Sequence, residues 1–404
     1  MNYKLMKLGA VSDITKLAGF EFTKYIKYNE EGEIIALRAL NLRKGELDLT
    51  DIKRIDRAVS DSLIRSKLYL NDILLTYTGN GYGDCAIITE NDKYHLAPNI
   101  CKITPNTKMV DPYFLYSYIR SNLFYQTMSS NMTGSSQPTI PMKTLRVLEV
   151  PIPAMDVQRK IGSIIKSIDE KIRNNSHINR NLSEQMQAIF ASIFYPEIEA
   201  GNKVSLGDYL YIKGRIGWKG LKKDEYLDES EYRIINGESL TATGIDWAKA
   251  GYISEERYIE SPEIMLQEGD ILISKDGTIG KIGYVNRLEK PTSVASGIFV
   301  VRNLKPEEVS TVFIFCLLNS DYFKGFIASR TEGSVIPHLY QKDFVTLEIP
   351  LLTQEQLNIF NGSVNPLFEL YFKNQTENIQ LTALRDTLLP RLMSGELDVS
   401  DIDI

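Results

Sequence analysis

The sequence predicts an α+β protein in which two mixed α/β domains follow each other along the chain, each leading into a long helix that pairs with the other. Three observations predict this fold class. They are an internal repeat of half the chain, short apolar runs bounded by turn residues, and a seven-residue apolar period near the end of each repeat. The chain has 404 residues, which is long enough for several hydrophobic cores.

The repeat appears as matching segments at a nearly constant spacing. Leu8 matches Leu206 at an offset of 198 residues, the run NDILLT matches GDILIS at the same offset, and Pro151 matches Pro350 at 199. A period this long excludes a short-repeat solenoid and predicts two copies of one half-protein. The predicted boundaries are mixed domains at 1–153 and 201–352, and helical regions at 154–200 and 353–404.

Within each mixed domain, short apolar runs predict strands. The runs are EIIALRALNL, DILLTY, DCAIITE and KTLRVLEVPIP in the first copy, and DILISK, KIGYV, SGIFVVRNL and FVTLEIP in the second. Glycines near Gly79 and Gly277 stand between two such runs, which predicts hairpin turns rather than a nucleotide-binding loop, because that loop must open a helix. Asp111 followed by Pro112 predicts a capped helix start.

Both helical regions carry a heptad seam with two central asparagines. Pro196 is expected to close the first helix and Pro390 to kink or end the second. Buried seam asparagines fix register, but parallel and antiparallel pairs would both stack them, and two separate amphipathic helices remain an alternative. The predicted seam is Ile161, Ile165, Ile168, Ile172, Asn175, Asn179 and Leu182, against Leu367, Tyr371, Asn374, Asn378 and Leu381.

Composition excludes several classes of protein. The three cysteines and three histidines are scattered, so we expect no metal site and no disulfide framework. No apolar stretch is long enough to span a membrane and the N-terminus lacks an export signal, so a cytoplasmic location is expected. We find no catalytic motif, and Asp169-Glu170-Lys171 is interpreted as a solvated helix face. The net charge of −6 by itself argues against a nucleic-acid partner.

The chain resembles a known family, the specificity (S) subunits of type I restriction–modification systems. The resemblance covers essentially the whole chain. It rests on the tandem repeat, on VLEVPIPAMDVQRKIGSIIKSIDEKIRNN, on LTALRDTLLPRLMSGELDV at the C-terminal side, and on the strands DILLTYTG and DILISKDG. One difference lies at the second helix start, where Gln356 follows Pro350 by six residues whereas Gln158 follows Pro151 by seven, so different local loop geometry is expected.

The resemblance implies that 1–153 and 201–352 are target recognition domains, each reading one half of a bipartite interrupted DNA sequence. The helices would pack antiparallel, set the spacer between the half-sites and dock two methylation (M) subunits. S-adenosylmethionine is expected on those subunits and no cofactor on this chain. The implied partners are double-stranded DNA, the M subunits and, in some systems, restriction (R) subunits. The S subunit itself is expected to catalyse nothing.

Conditional on that resemblance, basic and polar residues in loops are the predicted DNA contacts. Basic side chains can contact phosphates, and Arg, Lys, Asn and Gln can read base edges. The strongest single segment is Lys213–Lys223, with five basic residues and a tryptophan between glycines. The predicted contacts are Lys16, Thr78, Asn80, Tyr82, Ser135, Ser136 and Gln137 in the first domain, and Arg215, Trp218, Lys219, Lys222, Lys223, Lys275, Thr278, Ser334 and His338 in the second.

Two other functions remain open at this point. A self-sufficient modification enzyme would need a cofactor-binding domain and a complete catalytic tetrapeptide, which we do not find. A coiled-coil scaffold presenting two β-rich protein-binding domains is favoured by the acidic charge and disfavoured by the Lys213–Lys223 segment. Most of the acidity lies in 351–404, so the net charge is compatible with local DNA contact, and we expect tight DNA binding only when M subunits are present.

Overall fold

The computed structural model describes residues 3–43, 45–79, 81–134, 137–200, 202–216, 220–331 and 338–399. It divides into two compact units. The first unit combines Met1–Asn174 with Glu377–Ile404, and the second unit is Asn175–Thr376. The two long helices, Met155–Ala200 and Gln354–Ser394, therefore each supply residues to both units.

The first unit consists of short strands and helices that lead into the first long helix. Its described strands are β1 Lys4–Lys7, β2 Ser12–Lys16, β3 Ile34–Leu37, β4 Leu42–Arg43, β5 Glu46–Leu47, β6 Lys53–Ile55, β7 Ile73–Thr76, β8 Cys85–Ile87, β9 Tyr94–Leu96, β10 Ile100–Pro105 and β11 Glu149–Ile152. Its helices are α1 Leu8–Val11, α2 Gly19–Tyr25, α3 Arg57–Ser62, α4 Pro112–Arg120, α5 Asn122–Ser129, α6 Met142–Val147 and the start of α7 Met155–Ala200.

The second unit repeats this order of elements. Its described strands are β12 Lys203–Ser205, β13 Leu210–Gly214, β14 Tyr232–Ile235, β15 Leu240–Thr241, β16 Gly244–Ile245, β17 Gly251–Ile253, β18 Ile271–Ser274, β19 Ile282–Tyr284, β20 Thr292–Val294, β21 Ile298–Asn303 and β22 Glu348–Pro350. Its helices are α8 Glu255–Ile259, α9 Thr311–Asn319, α10 Asp321–Thr331, α11 Gln341–Val345 and the start of α12 Gln354–Ser394.

Every sheet of the first unit has a counterpart in the second. The four-stranded sheets are β2-β10-β7-β8 and β13-β21-β18-β19, and the three-stranded sheets are β6-β3-β9 and β17-β14-β20. In both three-stranded sheets the central strand pairs antiparallel with one neighbour and parallel with the other. The predicted tandem of two mixed α/β domains is therefore confirmed.

Each four-stranded sheet lies between two hydrophobic clusters, which explains the continuous apolar strands in the sequence. In β7, Ile73 and Leu75 pack into one cluster with helix α4, whereas Leu74 points into another with β3. Successive side chains of a strand face opposite sides of the sheet, so a strand covered on both faces is apolar at every position. Ile271 and Leu272 of β18 divide in the same way between the two clusters of the second unit.

Two groups of sequence predictions are wrong in detail. The run KTLRVLEVPIP was predicted as a strand, but it begins in α6 and only its second part forms β11; FVTLEIP likewise begins in α11. Pro196 does not close its helix, which continues to Ala200. Pro390 does not end α12, which continues to Ser394, and the kink that was the other expectation for Pro390 stays a prediction. A proline removes its own hydrogen bond to the preceding turn, yet the residues after it can still bond to carbonyls before them.

The two long helices run antiparallel in each unit. In the second unit, the Asn374 amide donates to the Asn179 side-chain oxygen at 2.9 Å, and the Asn179 amide donates to the Tyr371 carbonyl at 2.9 Å. In the first unit, the Asn378 amide donates to the Ile172 carbonyl at 3.4 Å.

Asp169 of α7 also pairs with Arg385 of α12 in the first unit, and Phe190 lies against Phe360 in the second. Within each unit, rising residue numbers on α7 therefore meet falling numbers on α12. This is the antiparallel arrangement of the predicted fold class, and it resolves the direction that the heptads left open.

The two long helices begin with glutamines that make different contacts. Gln158 of α7 is buried; its side-chain oxygen accepts from the Asp111 backbone N–H at 2.8 Å and its amide donates to the Pro153 carbonyl at 2.9 Å. Gln356 of α12 instead accepts from the Thr353 backbone N–H at 2.8 Å, as part of its own helix cap. With the one-residue difference in spacing, Gln158 ties its helix to the backbone at Asp111, whereas Gln356 caps the start of its own helix.

No group of three or more His, Cys, Asp or Glu side chains among the described residues could hold a metal ion. No single described helix is long and apolar enough to cross a membrane; by length and composition alone, Thr311–Asn319 and Asp321–Arg330 would pass together, as a pair bent by 59°. The three cysteine thiols are free and buried.

Candidate nucleic-acid interface

A hairpin turn stands at the same end of the four-stranded sheet in each unit. Strands β7 and β8 pair antiparallel and are joined by 77–84, and β18 and β19 are joined by 275–281. Gly79 and Gly277 occupy equivalent places with φ of +91° and +67°, a region that favours glycine. The predicted hairpins are thus confirmed, and each turn presents side chains beyond the end of a rigid sheet.

In the first unit, three segments meet at this turn. Lys16 ends β2 opposite Cys101, and its ammonium lies 5.1 Å from the centre of the Tyr77 ring. The Thr78 and Thr139 hydroxyl oxygens are 2.6 Å apart. The Ile140 backbone N–H donates to the Tyr77 carbonyl at 3.0 Å, which holds the segment after the polar loop, residues 129–138 in the sequence, against the turn.

Exposed Gln137 belongs to that segment. A Cβ built on Gly79 would lie 4.0 Å from the Gln137 amide nitrogen. The structure therefore brings together three of the predicted contacts of the first domain, namely Lys16, Thr78 and Gln137.

The second unit repeats this arrangement with different side chains. The Leu339 backbone N–H donates to the Lys275 carbonyl at 3.1 Å, and His338 Nδ1 is hydrogen-bonded to the Asp276 carboxylate. The Lys275 ammonium lies 5.1 Å from the centre of the Phe299 ring. Thr278 is exposed at the tip of the turn. Predicted contacts Lys275, Thr278 and His338 thus come together, with Asp276 between them.

Two predicted contacts lie inside the protein. Tyr82 is buried, its hydroxyl donates to the Met128 carbonyl at 3.0 Å, and burial raises its pKa to about 12. Arg215 is 2% exposed, and its guanidinium donates to the Val294 carbonyl at 3.2 Å and to the hydroxyls of Ser261 and Ser293. Burial, and secondarily Arg257, lower the pKa of Arg215. Neither side chain is therefore accessible to DNA in this structure.

Lys222 and Lys223 are exposed on a segment that Arg257 holds in place. The Arg257 guanidinium donates to the Gly220 carbonyl at 3.3 Å and lies 3.0 Å from the Glu225 carboxylate. The Glu225 carboxylate in turn accepts from the Lys222 backbone N–H at 2.6 Å. The lysines therefore project from an anchored segment and keep their predicted role as a proposal.

The remaining predicted contacts fall on residues that the structure does not describe. These are Asn80, Ser135, Ser136, Trp218, Lys219 and Ser334. Their roles stay predictions from the sequence.

One candidate residue was missed by sequence reasoning. Phe20 on α2 is 69% exposed, and the helix that carries it begins three residues after Lys16. On the same helix the Lys24 ammonium lies 4.9 Å from the centre of the Tyr25 ring. The repeat could have found this site, because an offset of 198 places Phe20 on Trp218 and Lys24 on Lys222.

The predicted seam residues line the helix pair within each unit. All of them are buried or half-buried in the described structure, and Ile161, Ile165, Leu182, Asn175, Asn179 and Asn374 are buried. Ile161 and Ile165 belong to the hydrophobic core of the first unit, and Leu367 and Tyr371 pack against that of the second.

A buried ion cluster joins three helices of the first unit. The Asp169 carboxylate, 5% exposed, accepts from the Arg120 guanidinium at 2.8 Å, from the Arg385 guanidinium at 3.1 Å and from the Tyr113 hydroxyl at 2.7 Å. Burial, together with the Asp169 charge, holds the pKa of Tyr113 well above its usual value, so the hydroxyl stays protonated and donates. The interpretation of Asp169 as a solvated residue is wrong, because two cations from distant parts of the chain pair with it.

A family model and curated relatives point to the same family over most of the chain. The family model of the type I restriction modification DNA specificity domain matches residues 2–184 and 202–362. The MjaIX specificity subunit of Methanocaldococcus jannaschii is 25% identical over 318 residues, covering 74% of this chain and 72% of that protein. The HindI specificity subunit of Haemophilus influenzae is 23% identical over 398 residues, covering 81% and 86%.

A solved structure supports the fold. The crystal structure of the type I restriction-modification S subunit from M. genitalium matches with a TM-score of 0.60 and 19% identity, covering 97% of this chain and 96% of that one. At this identity the match is evidence for the fold alone.

Proposed function

The chain belongs to the type I restriction–modification DNA specificity family, with two specificity domains in tandem, and from that premise we propose that each compact unit reads one half of a bipartite DNA site. The observation that supports this most is the paired turn and loop at the same end of each four-stranded sheet. Equivalent backbone hydrogen bonds hold the two loops, whereas the side chains presented there differ. Equal scaffolds with unequal contact residues suit two different half-sites.

The proposal extends to partners. Two methylation subunits would carry S-adenosylmethionine and transfer methyl groups to adenine, a restriction subunit would join in a complete system, and this chain would supply no catalytic group. The antiparallel helices would set the spacing of the half-sites. A tandem repeat supports a two-fold stoichiometry, because one chain then offers two equivalent surfaces to two copies of one partner.

The function is tested by mapping methylated adenine across the genome of the host with and without this gene. We expect one bipartite motif, with two fixed parts and a constant spacer, to lose its methylation when the gene is removed. An unchanged methylation map would contradict the proposal and favour the scaffold function. Methyl transfer to DNA by the purified chain alone would contradict a non-catalytic role.

Replacing Lys16 by alanine is expected to weaken DNA binding by the assembled complex to a similar extent for all sequences. A lysine that meets only phosphate contributes to affinity without reading bases, so the slope of log K against log salt should become shallower by about 1. The measurement is a salt titration of binding to the mapped site and to unrelated duplexes.

Lys108→Ala is the matched control for Lys16→Ala. Lys108 is also exposed, but it follows β10 at the opposite end of the same sheet. An equal loss of binding in both variants would show that the effect of Lys16 comes from overall charge and not from its position.

A further inference from the structure

We propose that Asp276 and His338 are specificity-determining residues of the second half-site, and that Thr78 and Thr139 hold the same positions for the first. This inference rests on the proposed function and goes beyond it by naming the residues that set base preference. In the repeat, Asp276 is the counterpart of Thr78 at an offset of 198 residues, and His338 is the counterpart of Thr139 at an offset of 199 residues. Each pair joins its hairpin turn to the segment that follows the polar loop.

The two pairs occupy the same structural position. The backbone hydrogen bond next to the pair is equivalent in the two units, from Ile140 N–H to the Tyr77 carbonyl at 3.0 Å and from Leu339 N–H to the Lys275 carbonyl at 3.1 Å. The backbone frame is therefore shared, and the chemistry at its tip is what differs.

The chemistry presented by the pairs is different in kind. Two threonines offer hydroxyls that both donate and accept, and methyl groups that can contact the thymine methyl. Asp276 offers only acceptors, and its side chain is 46% exposed, so its carboxylate remains accessible beside His338. Because the carboxylate can only accept, His338 Nδ1 donates to it, and Nε2 of the neutral imidazole is then a further acceptor.

A carboxylate in a surface that binds DNA has few favourable positions. Against a phosphate it is repelled, whereas against a base edge it can accept from the amino group of cytosine or adenine in the major groove. Lys275 precedes Asp276 and Lys281 ends the same turn, so the carboxylate stands in a locally basic turn. These charges favour an approach of DNA in which cations meet phosphates and Asp276 meets a base amino group.

The test is the methylated motif of strains that carry Asp276→Asn in the full chain, with all partner subunits present. We expect the first half of the motif and the spacer to stay unchanged, and preference at one position of the second half to relax by about fivefold to 150-fold. Thr78→Val is the reciprocal variant and should alter the first half alone. Glu307→Gln, an exposed carboxylate beyond the other end of β21, is the control and should change neither half.

Two results would overturn the inference. One is an unchanged motif in the Asp276→Asn strain. The other is a uniform gain in methylation or binding at all sequences, which would show that the carboxylate only repels phosphate. If Asp276→Asn fails to accumulate, the double variant Asp276→Thr with His338→Thr, which copies the first unit, replaces it. Absence of any motif in the unmodified strain would instead contradict the proposed function, so the two failures are distinguishable.

Discussion

Replacing Asp169 by alanine is expected to lower the free energy of unfolding of the first unit by about 3–5 kcal/mol, because the largely buried guanidinium of Arg120 would lose its carboxylate partner and that of Arg385 would keep only the exposed Asp386. Both side chains are only slightly exposed, at 11% and 16%. Urea unfolding followed by circular dichroism should show the loss as a separate, earlier transition.

A neighbouring exposed residue and the second copy of the repeat supply two controls for this prediction. Glu170→Ala, at a neighbouring residue whose side chain is 51% exposed, should change stability by less than about 0.5 kcal/mol. At an offset of 199, the second unit has Phe368, Met186 and Asn319 in place of Asp169, Arg385 and Arg120.

The triple variant that copies those residues into the first unit should recover part of the stability, since it removes the carboxylate together with both buried cations, and replacing a whole buried ion cluster is often neutral. If Asp169→Ala is as stable as Glu170→Ala, the cluster contributes nothing and our account of it is incorrect.

Asn374→Ala is expected to cost the second unit about 1–3 kcal/mol. The substitution removes the amide that donates to Asn179 and leaves a buried side-chain oxygen without that donor. Thermal unfolding with Asn181→Ala as control measures the effect, since Asn181 lies on the same helix pair but is exposed.

The double variant Asn179→Leu with Asn374→Leu should be close to neutral in stability, because removing both partners leaves no unmatched polar atom. We expect the double variant to lose the unique register of the two helices instead, because a single buried asparagine can determine which residues of the helices face each other. Hydrogen exchange along α12 should then show weaker protection around Tyr371. A double variant less stable than Asn374→Ala would contradict this account.

Predictions based on local signals agreed best with the structure. Asp111 caps α4 as expected, with its carboxylate accepting from the Phe114 N–H at 2.9 Å, because the cap and its partner are three residues apart. The runs around DILLTY and DILISK form the predicted strands, since burial on both faces leaves a continuous apolar pattern. The internal repeat predicted the fold class correctly, because two copies of similar sequence form similar sheets and similar hydrophobic cores.

Predictions that depend on distant partners were the ones that failed. Asp169 looks solvated among charged neighbours, but it is buried because Arg120, 49 residues away, and Arg385, 216 residues away, both pair with it. Arg215 lies in a basic, glycine-rich segment, yet its side chain is buried and its guanidinium donates to the hydroxyls of Ser261 and Ser293. Phe20 was missed because a helix of seven residues is too short to show a periodic pattern. Base contacts belong to this same class, since they depend on how loops are placed.

The first unit consists of two segments that are far apart in the sequence, and this affects how it folds during synthesis on the ribosome. Domains generally fold in the order in which they emerge. Here the second unit is continuous in sequence, whereas the first needs Glu377–Ile404, whose Leu389, Leu392 and Met393 pack into its core. The N-terminal domain is therefore the last to be completed. A premature stop codon after the second unit would damage recognition by the domain that was translated first.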